Sequence, residues 1–117
     1  MRLTQVDLGP ALVGAVMALA GVLFLAEPFV DPIPVGGVEV PVVALSFVAL
    51  AVALDLGAVV FYRRGQRAAW QAHGVAGLGW SLLVLGPLFG SVLVMWLGIA
   101  VVVGGGAFLV VERYQDR

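Results

Sequence analysis

Apolar residues run almost unbroken from Leu8 to Ala26, and the run closes at Glu27-Pro28. At about 1.5 Å per residue a helix of that length spans about 28 Å, close to the hydrocarbon core of a bilayer. Pro10 falls in its first turn, where a missing N–H is harmless. Pro41 opens a second run that reaches Tyr62 and stops at Arg63-Arg64-Gly65-Gln66-Arg67. A third goes from Ala68 to Gly86, with Pro87 as its terminator, and a fourth from Ser91 to Val111, ahead of Glu112-Arg113. The pattern predicts an all-α integral membrane protein. Its single domain, residues 1–117, has four transmembrane helices over about residues 8–26, 41–62, 68–86 and 91–111. Arg2, the first apolar run and Ala18-Leu19-Ala20 also fit a secretory signal, but the run continues past that site to Ala26, which favours a span.

Between the first two runs, Val35-Gly36-Gly37-Val38 is a hairpin signal, because Gly-Gly accepts the positive φ of a tight turn. A short β-hairpin-like loop is expected there. The short connection Gly86-Pro87-Leu88-Phe89-Gly90 makes spans three and four antiparallel neighbours. Residues 15–29 can be laid on 74–88, matching Val16 with Val75, Leu19 with Leu78, Leu23 with Leu82 and Pro28 with Pro87. Gly57-Ala58 likewise resembles Gly106-Ala107. One reading is two repeated helical hairpins, related by an axis along the membrane normal; the other is that four apolar helices match one another by chance.

Composition supports the lipid reading. Of the residues, 62% are hydrophobic and 11% charged, and the mean hydropathy is +1.13. A soluble domain carries about a quarter charged residues. Net charge is −1, which offers nothing to nucleic acid. There is no Cys, so disulfides, thiolate chemistry and iron–sulfur ligation are excluded.

The cations decide orientation. Arg2 precedes span one, Arg63, Arg64 and Arg67 separate spans two and three, and Arg113 and Arg117 follow span four. The other side has no Arg and carries Glu27, Asp31 and Glu39. The positive-inside rule then places both termini and the middle loop in the cytoplasm of a multi-pass protein of the cell membrane. Tyr62, Trp70 and Tyr114 fall near that interface, where aromatic belts form.

Candidate chemistry is sparse. Asp55 is the one acid inside a span, and a charged Asp at the bilayer centre costs ~2.5–3.5 kcal/mol on insertion scales. Across the Arg-rich turn it should lie at the depth of roughly His73 to Ala76, so an Asp55–His73 pair is the candidate intramembrane polar site. The alternative is an Asp55 that is protonated or hydrogen-bonded to a neighbouring helix. Small residues at i, i+4 let helices approach closely. Ala49, Ala53 and Gly57 form such a stripe on span two, with Gly14/Ala18, Gly77/Ser81 and Ala100/Gly104 on the others. Asp55 stands about 200° from Ala53 and Gly57, so span two has two faces that need cover. Gly104-Gly105-Gly106 interrupts span four without ending it, because a helix in lipid has no other partner for its backbone.

No cofactor, metal or catalytic set is expected. One His cannot form a bis-His haem site, no cluster has metal-ligand spacing, and Ser46, Ser81 and Ser91 lack a nucleophile context. The chain is similar to the small multidrug exporters in its four short spans, but lacks their Glu within the first span. The small fluoride channels also have four spans, and their first-helix signature is missing. The expected function is a non-enzymatic structural or accessory subunit, packed by its small-residue stripes in a homo-oligomer or a larger membrane complex. The alternative is a small homo-oligomeric channel or proton-coupled transporter that uses Asp55.

Overall fold

The apolar runs fold as helices whose ends are set by turn chemistry. The computed structural model describes residues 7–116. Its elements are α1 (Leu8–Ala26), a 3₁₀ turn (Glu27–Phe29), β1 (Ile33–Val35), β2 (Val38–Val40), α2 (Val42–Arg63) and α3 (Arg67–Leu88). There follow α4 (Val92–Ala100), a π-helical segment (Val101–Gly105) and α5 (Gly106–Gln115), which run on as one rod. The protein is mostly helical, with four helical rods. Three are long and apolar enough to cross a membrane: Leu8–Phe29, Val42–Arg63 and Val92–Gln115. The fourth, α3, is as long at 22 residues, but Arg67, Gln71 and His73 make its first half more polar.

The expected hairpin is present. Ile33 pairs with Val40 and Val35 with Val38, antiparallel, around Gly36 and Gly37 at φ 57° and 81°. Two positive φ values in succession are the mark of a type I′ turn, which only residues such as Gly adopt readily. The preceding acid has a use that its loop position concealed. The Glu27 carboxylate accepts from the Val43 N–H, satisfying a donor that the start of α2 leaves open.

Two boundaries are corrected. Pro87 does not end α3; it sits in the last turn, which continues to Leu88. A proline there forfeits its own N–H bond and crowds the Leu83 carbonyl, at a point where the helix is about to end. The terminator is Gly90, at φ 66°, with Ser91 N–H donating to Gly86 O (2.8 Å) and Gly90 N–H to Pro87 O (3.2 Å). That is a Schellman cap. Gly65 repeats it at the end of α2, where Gln66 N–H bonds Phe61 O and Gly65 N–H bonds Tyr62 O. The last rod also passes Val111, because Glu112 to Gln115 are polar but not helix-breaking. Ser91 caps its start, accepting from Val94 N–H at 3.2 Å.

The helices stand in a row. α1 packs on α2, α2 on α3, and α3 on α4. The extents are 50 × 42 × 22 Å, with one short dimension. Four helices 8–10 Å apart in a closed square would be short in two, so the bundle is open. Its core is made of small side chains: Val13, Ala20, Val42, Ala51 and Ala53 are the buried hydrophobic residues, with Ser46 among them. Large ones face outward, such as Leu8, Phe29, Leu88 and Leu93. This is the reverse of a water-soluble domain, where apolar patches of this extent are rare.

The Arg-bearing ends lie together. Arg64 is ion-paired with Asp7 at the start of α1, and Arg67 with Glu112 in α5 at 3.5 Å. These pairs are exposed and worth ~0–1 kcal/mol each. Their value here is as markers of one polar end of the row. The hairpin and Glu27 mark the other.

Candidate functional site

The seam between α2 and α3 carries the polar groups singled out by the sequence. The tight turn at Gly65 makes the two helices antiparallel, so residues progressively farther from the turn meet in order. Nearest to it, Tyr62 and Trp70 make an edge-to-face pair with centroids 5.5 Å apart. Next, His73 lies over Gly57, tilted against Phe61 with ring centroids 4.9 Å apart. Then Asp55 meets Gly77 and Ser81, and farthest out Phe47 meets Trp80, again edge to face at 5.5 Å. The Trp80 indole N–H donates to the Phe47 carbonyl at 3.0 Å.

Asp55 is held in a notch. Ser81 Oγ donates to its Oδ2 at 2.8 Å. A Cβ built on Gly77 would overlap Oδ1 and stand 3.1 Å from the Asp55 N. Gly77 and Ser81, one turn apart, therefore supply the space and the hydrogen bond respectively. On its outer side the notch is open: Asp55 is exposed, on the same face of α2 as Val48, Val52 and Val59.

His73 is placed elsewhere. Its Nδ1 lies 2.8 Å from the Ala69 carbonyl, which only accepts, so Nδ1 carries the proton. Its ring fills the space over Gly57, where an added Cβ would stand 2.9 Å from Cγ. The hydrogen bonds of Asp55 and His73 thus go to Ser81 and Ala69, and none joins the two candidate residues directly. The reason is the lean of side chains towards the N-terminus of their own helix. In antiparallel helices that lean carries Asp55 away from the turn and His73 towards it.

The small residues divide by face. Ala53 is fully buried and Gly57 lies under His73, while Ala49 is half-buried. Gly14 and Ala18 are exposed, as are Ala100 and Gly104, and a Cβ on Gly14 or Gly104 would meet nothing within 4 Å. A further close contact, of backbone against backbone, lies outside the i, i+4 stripes. It joins Gly79 and Gly86 of α3 to Gly98 and Met95 of α4. A Cβ on Gly98 would be 2.7 Å from Gly79 O and 2.9 Å from Leu83 N, and one on Gly86 would be 2.8 Å from Met95 N. The signal was the seven-residue interval between Gly79 and Gly86, two turns on one face. Gly98 lies about 200° round the helix from Ala100.

Among the described residues no group of three or more His and acidic side chains could hold a metal. A lone carboxylate bonded to one hydroxyl can accept a proton or a cation. No family model, curated protein or solved structure matches the chain.

Proposed function

We propose that this is a multi-pass protein of the cell membrane whose four helices all cross the bilayer, and that it serves as a non-enzymatic structural or accessory subunit. The observation that carries this reading is the open notch at Asp55. A carboxylate on a face with Val48, Val52 and Val59 would meet hydrocarbon if the chain stood alone. One bond from Ser81 offsets only part of the ~2.5–3.5 kcal/mol insertion cost. A helix from a second copy or another subunit covers it. The lower hydropathy of α3 fits the same picture, since α2 and α4 take up two of its faces.

In mild detergent the purified protein is expected to run above monomer mass or to carry another subunit. Cys at Val52 should cross-link to that partner, and Cys at Leu93 on α4 should not. A monodisperse monomer with normal stability would refute the subunit reading. The rival, a channel or proton-coupled transporter, is separated from it by Asp55→Asn. That change preserves an acceptor for Ser81 Oγ but cannot titrate. It leaves assembly intact under both readings, and in reconstituted vesicles it abolishes flux only under the rival.

The orientation proposed has both termini and the Arg-rich turn in the cytoplasm, from the gathering of Arg63, Arg64, Arg67 and Arg113 at one end. Cys at Gly36 should react with an impermeant thiol reagent from outside intact cells, and Cys at Gln66 should not. The reverse labelling sinks the orientation, and the absence of native Cys leaves no background. The hairpin duplication belongs with this proposal. Laying 15–29 on 74–88 puts Ala20 on Gly79, and each is a buried small residue in the first helix of its hairpin.

A further inference from the structure

The last rod leaves α3 partway along its length. At one end α4 is drawn in by the Gly79, Gly86 and Gly98 contacts. The π-helical segment Val101–Gly105 then re-aims the helix, and α5 makes sparse contact with α3. A π segment adds a residue to the turn and shifts the face of everything after it. The result is a groove of about 620 Å³ between α3 and α5 at the Arg-bearing end. Ala72, Val75, Val102 and Leu109 form its apolar walls. Arg67, Glu112, Arg113 and Asp116 stand at its mouth.

We propose that this groove seats one zwitterionic phospholipid, an acyl chain between α3 and α5 and the headgroup among the four charged side chains. The proposal rests on the membrane reading above, since it places the mouth at the headgroup level. Two observations select the occupant. The first is size. A three-turn helix about 10 Å across occupies roughly 1,300 Å³, twice the groove, whereas one acyl chain is narrower than a helix and enters a groove of 620 Å³ while the second chain stays in the bilayer. The second is charge. Among the described residues, two Arg and two carboxylates make a balanced mouth, complementary to a phosphate beside an ammonium rather than to a net anion. A packed helix would bury these charges and require partners for them. A lipid headgroup leaves them at the water interface. The Arg67–Glu112 pair at 3.5 Å, with the Arg67 side chain 74% exposed, is loose enough to open for phosphate and ammonium.

Gly106 supplies the test. It lines the groove in helical conformation, and a Cβ there meets nothing within 4 Å. Gly106→Leu therefore fills the groove without backbone strain. The full chain is reconstituted separately in phosphatidylethanolamine, phosphatidylcholine and phosphatidylglycerol, extracted, exchanged exhaustively into detergent, and assayed for phospholipid phosphorus and by native mass spectrometry. Wild type is expected to keep about one phosphatidylethanolamine or phosphatidylcholine per chain and at least fivefold less phosphatidylglycerol. Gly106→Leu, or Ala72→Leu should the first variant misfold, loses it with helicity unchanged. The double change Arg67→Gln, Arg113→Gln loses it without touching the walls. Equal retention by wild type and both groove-filling variants overturns the proposal, as does a preference for phosphatidylglycerol. A disulfide between copies through Gly106→Cys also overturns it, by showing a protein occupant. Each of these outcomes leaves the protein in the membrane fraction, whereas its recovery as a soluble protein would fail the membrane reading instead.

Discussion

Gly98→Leu is expected to separate α4 from α3 and to cost about 3 kcal/mol, the upper part of the usual range for overpacking. The atoms a side chain at 98 would strike are Gly79 O at 2.7 Å, Leu83 N at 2.9 Å and Leu82 Cβ at 3.0 Å. Two of these belong to the backbone and cannot rotate aside. The contact can be relieved only by moving a whole helix, and α3 is the one helix on which α4 packs extensively. The measurement is unfolding of the purified protein in mixed micelles by titration with denaturing detergent. Gly104→Leu is the control, since a Cβ there meets nothing within 4 Å. Equal stability of the two variants would show that the Gly79–Gly98 seam does not hold the row together.

The second large effect is expected at Gly57. The sequence places it on a stripe available to another chain, which predicts that Gly57→Leu weakens assembly. In the fold its space is taken by the His73 ring of the same chain, with Cγ 2.9 Å from an added Cβ. The cost therefore moves from association to the α2–α3 hairpin. Gly57→Leu should lower stability by about 2–3 kcal/mol, by expelling the ring and breaking the Nδ1–H bond to Ala69 O. Adding His73→Ala to it should recover at least about 1 kcal/mol, because the two positions share one space and couple in a double-mutant cycle. Strict additivity of the two changes would refute the contact. Stability and mass are measured together, so that a change confined to mass would return Gly57 to the assembly interface.

Much of the architecture was legible from local pattern. The four helices, the Gly36-Gly37 turn and the collection of Arg residues at one end follow from hydropathy, turn conformation and charge order. Each of these depends on a few consecutive residues, so neighbours in the fold do not alter them. Even there, hydropathy reports what a helix is buried in and not where it ends. For that reason α5 runs on to Gln115, and Gly90 rather than Pro87 closes α3.

The rotation of each helix about its axis was decided by tertiary structure. With Gly and Ala so frequent, several faces of each helix offer a small-residue stripe, and 100° per residue turns a choice two residues wrong into the opposite face. Thus Gly79, Gly86 and Gly98 form a close backbone seam while Gly14, Ala18, Ala100 and Gly104 face outward. The partner of Asp55 was hidden for a related reason. Depth counted from the turn locates backbone atoms, but the lean of each Cβ along its own helix carries the carboxylate to Ser81 and the imidazole to Ala69. The π segment and the groove beyond it lie further from local reading. Three consecutive glycines permit many helical variants, and the one adopted depends on how closely Gly98 and Gly105 can approach Gly79 and Val75 on the facing helix.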